Sequence, residues 1–347
     1  MDKTILAAMV EPLLDWYRQN ARILPWRENT DPYRIWVSEI MLQQTRVEAA
    51  LPYFNRFINS LPTVFDLASA APELLLKLWE GLGYYTRVRN MQKAAEIVVA
   101  QYGGLFPDDY KALLALPGIG DYTAGAISSI AFKKPVAAVD GNVLRVCARL
   151  CGSRENVMDP AVKKQLKASL EAVYPTDCPG DFTQAIMELG ALICLPGKAL
   201  VCAHCPLHNL CLACRSGEAH SLPILPDKRP RKEQNQTVFL LRHKNTYALQ
   251  KRENKGVLSG FLTFPTQEGM LSEKQAVDYL KTCGVQASNI EPFIDSKHIF
   301  THITWHMSSY TVQCKNPASS FSWHTKEEIE KNISIPSAFK PFLSAIE

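Results

Sequence analysis

A chain of 347 residues with 47% hydrophobic and 21% charged content has the balance of a globular protein, and its length suits two cores better than one. No apolar run reaches the length of a membrane span. The N-terminal MDKTILAAMVEPLLDWYRQN, with acidic residues and no small-residue cleavage site, reads as an amphipathic helix and not a signal peptide. The expectation is therefore a cytoplasmic chain with no membrane partner, whose clustered cysteines serve as metal ligands and not disulfides. The formal charge of +4 is unevenly placed: residues 1–225 balance 22 Lys and Arg against 22 Asp and Glu, while residues 226–347 carry 16 against 12. A neutral first part does not exclude nucleic acid, because binding needs local basic patches and not a high total.

In chain order, Asn29-Thr30-Asp31-Pro32 opens a helix over PYRIWVSEIMLQQTRVEAALPYF (32–54). Glu39 lies in its apolar part, flanked by Ile35, Trp36, Ile40 and Leu42. A buried glutamate resists ionising and can donate a proton near neutrality, whereas one on a solvated face has no such property. Gln43 and Gln44 follow, with planar amides suited to a base edge or a base stack, or to a plain helix surface. Helical periodicity continues through DLASAAPELLLKLWEGLG (66–83), VRNMQKAAEIVVAQYGG (88–104, closed by Gly103-Gly104) and PAVKKQLKASLEAVYP (160–175).

Between these lies LPGIGDYTAGAI (116–127), with Gly118 and Gly120 just before a helix start. Such a helix–hairpin–helix turn presents backbone N–H groups to a phosphate and grips DNA without reading its sequence, although the same turn can simply join two core helices. In VAAVDGNVLRV (136–146), Asp140 sits in an apolar run as a helix N-cap or a deliberately placed charge.

Five of the ten cysteines fall within 191–214. Cys194, Cys202, Cys205 and Cys211 are spaced C-x7-C-x2-C-x5-C, a compact, uneven loop that suits an iron–sulfur cubane better than zinc. Cys214, His204 and His208 are spare ligands that keep zinc open. Cys147, Cys151, Cys178, Cys283 and Cys314 read as ordinary cysteines. The proline- and base-rich HSLPILPDKRPRKEQNQ (220–236) reads as a linker. Beyond it TVFLLRHKNTYALQKR (237–252) reads as two strands around a turn at His243–Asn245, KQAVDYLKTCG (274–284) as a short helix, and HITWHMSSYTVQC (302–314) as a strand. The expectation is an all-α first part and a smaller α+β second part.

Seven segments in order, namely PWR (25–27), SEIMLQQT (38–45), LWEGLGYYTRVRN (78–90), LPGIGDYTAGAI, VDGNVLRV, MELGALIC (187–194) and the cysteine loop, resemble the helix–hairpin–helix, iron–sulfur DNA glycosylases, and more narrowly the adenine DNA glycosylases of the MutY family. The resemblance implies a multi-domain chain: an all-α glycosylase domain over 1–219 with the hairpin at 116–127 and an iron–sulfur loop at 194–211, a linker at 220–236, and a Nudix-like domain over 237–347 that reads 8-oxoguanine. It implies action on duplex DNA that holds adenine opposite 8-oxoguanine or guanine, flipping the adenine out before hydrolysis; a monomer is the default expectation and no part of the resemblance. Glu39 matches the general acid on adenine N7, and Asp140 the carboxylate that stabilises or traps the sugar cation. Asn142 matches the partner that orients them, Trp26 and Arg27 pocket walls, and Gln44 a residue at the base-pair gap.

Tyr84 matches an intercalating tyrosine, and Phe300-Thr301-His302 a loop testing N7–H and O8 of 8-oxoguanine. Tyr122 stands where bifunctional relatives carry a Schiff-base lysine, which implies base removal without efficient strand cleavage. Its hydroxyl is expected to bond Asp140 or a reacting water. A [4Fe–4S] cluster on the four cysteines is implied. The alternatives are a bifunctional glycosylase/lyase, a redox-sensing DNA-binding protein and a Nudix hydrolase; against the last, 269–284 holds only Glu273 and Asp278 where magnesium chemistry needs a glutamate-dense helix. The first cysteine interval is one residue longer than the family's six, a leucine replaces a common tryptophan in GVLSGFLTFP (256–265), and Thr301 replaces a frequent serine. Lys198 and its neighbours in the cysteine loop are expected to meet DNA phosphates.

Overall fold

The computed structural model describes residues 2–197, 199–226, 230–253 and 256–346, so Lys198 lies outside the described residues. The chain divides into two compact units, residues 1–70 with 86–227, and residues 71–85 with 228–347. The segment 71–85 thus belongs to the second unit, although in sequence it lies within residues 1–219.

The described part of the first unit is helical, with short 3₁₀ turns. Its N-terminal amphipathic stretch forms two helices, Lys3–Ala8 and Val10–Asn20, that bury Leu6, Leu13 and Leu14. The helix Pro32–Leu42 starts where punctuation predicts: Asp31 accepts a hydrogen bond from the Tyr33 amide, and Pro32 takes the first turn, where a missing N–H costs nothing. It ends sooner than its apolar pattern suggests. Gln43 leaves the helix, Gln44 takes a left-handed φ of 60°, and a second helix runs Val47–Ser60. The hairpin comprises Tyr110–Leu114, the turn at Leu116–Gly120, and the helix Asp121–Ile130. Asp140 N-caps the helix Gly141–Leu150. That helix buries one face beside Pro179–Leu192, in a core with Leu6, Leu13, Phe182 and Ile186.

Among the described residues of the second unit, eight strands form a mixed sheet. Strand β1 (Lys232–His243) begins inside the stretch read as linker. It pairs parallel with the other long strand, Ile303–Cys314, from Lys232 to Arg242, and antiparallel with Thr246–Lys251 through the turn at Lys244–Asn245. TVFLL lacks polar alternation because β1 is covered on both faces: Val238 and Leu240 pack with Trp305 and Phe339, and Phe239 and Leu241 with Leu280 and Val312. The covering elements are the C-terminal 3₁₀ segment Ser337–Ala345 on one side and the helix Glu273–Thr282 on the other.

Candidate functional site

Trp26, Arg27, Glu39, Gln43, Gln44, Gly118, Gly120, Tyr122, Asp140 and Asn142 all line one open cleft of the first unit. Glu39 is only 6% exposed, because the helix that carries it buries residues all round its middle turns. Its Oε2 accepts a hydrogen bond of 2.5 Å from the Tyr122 hydroxyl, so that hydroxyl is bound to Glu39 and not to Asp140, one of the two partners, with a reacting water, that the sequence suggested. Burial pushes the Glu39 carboxyl up to about 7. The Tyr122 hydrogen bond pulls it back, and the Asp140 charge pushes it further. The Tyr122 hydroxyl is itself raised well above its ordinary range by burial and by Glu39.

Asp140 fills both roles that its sequence context left open. Its Oδ1 accepts from the Val143 amide at 2.8 Å as an N-cap, and its Oδ2 accepts from Asn142 Nδ2 at 2.8 Å while facing the cleft. Burial raises its pKa, and these hydrogen bonds and the Arg145 charge oppose the rise. The two carboxyls therefore differ in surroundings: one is buried against a single hydroxyl, the other is held by several donors. That is the arrangement that separates a proton donor from a standing anion.

Several residues that shape the cleft were not singled out in the sequence. Glu188, 1% exposed, is bound by both Arg22 and Arg27; the Arg22 guanidinium meets its two oxygens at 2.8 Å, and Arg27 Nη2 lies at 2.9 Å. Despite burial, these arginines hold the Glu188 carboxyl down at about 2. Its signal was a lone carboxylate in the apolar run AIMELGAL, the same signal that marked Glu39. Arg27 also lies over the Tyr17 ring, while Trp26 packs edge-on to Phe54. Arg87 Nη1 donates to the carbonyls of Ile40, Met41 and Gln43, closing the Glu39 helix just before the left-handed Gln44. Gln43 itself reaches Thr123 at 3.5 Å.

In the hairpin, Gly118 has a φ of +78°, and a Cβ there would stand 2.8 Å from the Asn90 Cβ. Gly120 is different: its backbone is extended and a Cβ would meet nothing of the protein within 4 Å. No internal packing requires a glycine at 120, which leaves room for something outside the chain to approach the first amides of the Asp121 helix.

Cys194, Cys202, Cys205 and Cys211 line one cavity, together with Cys214, His208 and Arg149. Burial pushes Cys205 up to about 12 and Cys202 up to about 11, and neighbouring sulfurs add to both. Among the described residues no three His, Cys, Asp or Glu side chains stand as a site for a single metal ion. Arg149 is 2% exposed and donates to the Leu195 carbonyl at 2.7 Å, the Leu222 carbonyl at 2.8 Å and the Cys194 sulfur at 3.3 Å. None of these partners is a carboxylate, so the buried cation faces sulfur. The loop also holds a second C-x2-C pair, Cys211 and Cys214, which a reading restricted to four cysteines divides. Arg145 joins loop and cleft: Nε donates to the Cys194 carbonyl at 2.7 Å, and Nη2 to Asn142 Oδ1 and the Gly190 carbonyl at 2.8 Å each.

The remaining predicted residues lie in the second unit. Phe300, Thr301 and His302 form the turn between the strands Ser296–Ile299 and Ile303–Cys314, with the Phe300 ring edge-on to Trp305 and to His298. Tyr84, left-handed at φ 47°, belongs to the same unit and meets Thr301, hydroxyl to hydroxyl, at 2.5 Å.

Residues 37–172 match the HhH-GPD superfamily of base excision DNA repair proteins, and residues 237–345 match the NUDIX domain. An adenine DNA glycosylase of Buchnera aphidicola subsp. Acyrthosiphon pisum is 33% identical over 90% of this chain and 88% of its own length. That of Rattus norvegicus is 33% identical over 96% of this chain and 77% of its own length. Among solved structures, a thermostable thymine-DNA glycosylase superposes with a TM-score of 0.56 at 28% identity, covering 61% of this chain and 98% of that one.

Proposed function

The chain belongs to the adenine DNA glycosylase family, a group of base excision repair enzymes, and from that premise we propose how its residues divide the work. Glu39, protonated through much of the neutral range, delivers its proton to the base and makes it a leaving group. Asp140, held by the Val143 amide and Asn142, remains the anion that faces the positive sugar. The observation that carries this division is the contrast between the two carboxyls in one cleft. Tyr122 holds Glu39 in place and supplies no amine, which supports base removal without a Schiff base. The hairpin amides beside Gly120 receive a phosphate. The meeting of Tyr84 with Thr301 supports a joint reading of the opposite base, 8-oxoguanine or guanine, within the second unit. The helix Glu273–Thr282 places only Glu273 and Asp278 as carboxylates, which supports a recognition role there over nucleotide hydrolysis.

The cysteine cavity fits an iron–sulfur cluster. Five cysteine sulfurs crowd it, a buried arginine without a carboxylate faces it, and a thiolate-bound cluster supplies the anion that this arginine lacks. Cys194, Cys202, Cys205 and Cys211 would hold it. Bound there, the cluster supplies a rigid fold for the loop, while the bond-breaking residues lie in the cleft.

Excision assays on duplexes holding adenine opposite 8-oxoguanine, guanine and thymine test the proposal. Release from the first two and not the third is expected, with weak trapping by borohydride. Inactivity on all three overturns the function, and a strong covalent adduct overturns the monofunctional assignment.

A further inference from the structure

The cavity offers five cysteine sulfurs where a cubane takes four, and the five are not equivalent. Cys194, Cys205 and Cys211 pack against the main core of the first unit, beside residues such as Leu144, Ala148 and Leu207. Cys202 and Cys214 do not. Cys202 packs instead with the small cluster of Ala213, Ala219 and Leu222, and begins the short 3₁₀ turn Cys202–His204. Cys214 lies on the single-turn helix Leu212–Arg215, three residues past Cys211. Both sulfurs line the same cavity. His208 bridges the pair, its Nδ1 2.9 Å from the Cys202 carbonyl oxygen and 3.6 Å from the Cys214 sulfur.

Building on the cluster reading above, we infer that Cys202 and Cys214 are interchangeable ligands for one corner of the cluster, the other three corners being fixed by Cys194, Cys205 and Cys211. The exchange is a ligand substitution with no change of oxidation state. The Cys214 thiol gives its proton to solvent as its sulfur binds the iron, and the Cys202 sulfur takes up a proton as it leaves. The two C-x2-C pairs make this possible, since each sets one cysteine packed on that core beside one partner outside it: Cys205 with Cys202, and Cys211 with Cys214. A cluster whose Cys202 ligand leaves by protonation then keeps four thiolates.

The test uses the full chain purified without oxygen, as the parent and as the variants Cys202→Ser, Cys214→Ser, Cys205→Ser and the double Cys202→Ser/Cys214→Ser. Iron and sulfide content and the visible absorbance of the cluster are read for each. Each of the two single variants at 202 and 214 is expected to keep at least about half of the parent's iron, and Cys205→Ser and the double variant less than roughly a fifth. Alkylation by iodoacetamide, mapped by mass, gives a readout that does not require the double variant to fold. Cys214 should be labelled in the parent and protected in Cys202→Ser. Loss of iron in Cys202→Ser to the level of Cys205→Ser, or equal labelling of Cys214 in both proteins, overturns the inference. A parent that carries no iron overturns the cluster reading itself.

Discussion

The role proposed for Glu39 couples a proton donor to a folding cost. Its carboxyl titrates at about 7 in the folded chain against 4.5 ordinarily. Below 4.5 both states bind the proton and the group costs nothing. As pH rises from there through 7 the unfolded chain ionises first, so stability is lost, amounting to about 3 kcal/mol at full ionisation. Glu39→Gln removes that loss. It is expected to cut adenine excision by at least about a hundredfold while raising the denaturant midpoint at pH 8 and leaving it nearly unchanged at pH 4.5. A variant no more stable than the parent at pH 8 would contradict a carboxyl this buried. Excision by the parent should fall as pH rises through about 7. In Tyr122→Phe that fall should move to higher pH, because the lost hydroxyl stabilises ionised Glu39; a pH–rate profile with an unmoved alkaline limb counts against the pair. Glu39 and Asp140 were legible in sequence because each is a carboxylate in an apolar run. Glu188 carried the same sign, but its meaning lay in Arg22 and Arg27, some 160 residues away.

The hairpin and the Asp140 helix show what elements add to single residues. Gly118 and Gly120 look alike in LPGIG, yet only Gly118 is demanded by the fold. Gly118→Ala combines a left-handed backbone with a collision on Asn90, and is expected to lower stability by roughly 1–3 kcal/mol. Gly120→Ala meets empty space in an extended backbone, so thermal unfolding should change by less than about 0.5 kcal/mol. Its duplex binding should nonetheless weaken severalfold, because the new methyl occupies the approach to the helix amides. Unchanged affinity would remove the hairpin from the DNA-binding surface. Arg145 acts at the same scale, its fork joining the Asn142 side chain, the Gly190 carbonyl and the Cys194 carbonyl. Lysine cannot span these acceptors, so Arg145→Lys should slow excision about tenfold with duplex affinity retained. Single-turnover kinetics separate the two effects. No periodicity in VDGNVLRV disclosed this fork, since two of its four acceptors lie 45 and 49 residues away. Likewise the apolar pattern of 32–54 hid the break at Gln43, which depends on Arg87 collecting three carbonyls.

At the scale of the whole chain, the division into units does not follow the division in sequence. Composition places one boundary at the proline-rich stretch after residue 219, and β1 does rise shortly beyond it, at Lys232. What composition could not show is that residues 71–85 belong with residues 228–347. Their membership rests on contacts across more than 170 positions: the Tyr85 ring stands edge-on to Phe261 at 4.4 Å, Lys77 Nζ donates to the Glu330 carbonyl at 3.1 Å, and Tyr84 meets Thr301. A chain shortened to residues 1–226 is therefore not a glycosylase domain with a module cleanly removed. It strands a fifteen-residue segment without its packing partners, uncovering Tyr85, which is 9% exposed in the intact protein. Limited proteolysis should cut the shortened chain within 71–85 well before the full chain, with a lowered thermal midpoint. Thr301→Ala in the full chain removes one hydroxyl and leaves the Tyr85–Phe261 packing in place. It is expected to keep the parental midpoint within a degree or two and to reduce only the preference for adenine opposite 8-oxoguanine over adenine opposite guanine. Equal protease resistance of the short and full chains would mean that 71–85 holds its shape without the second unit. The loss of preference in a truncated enzyme could then be assigned to base reading alone.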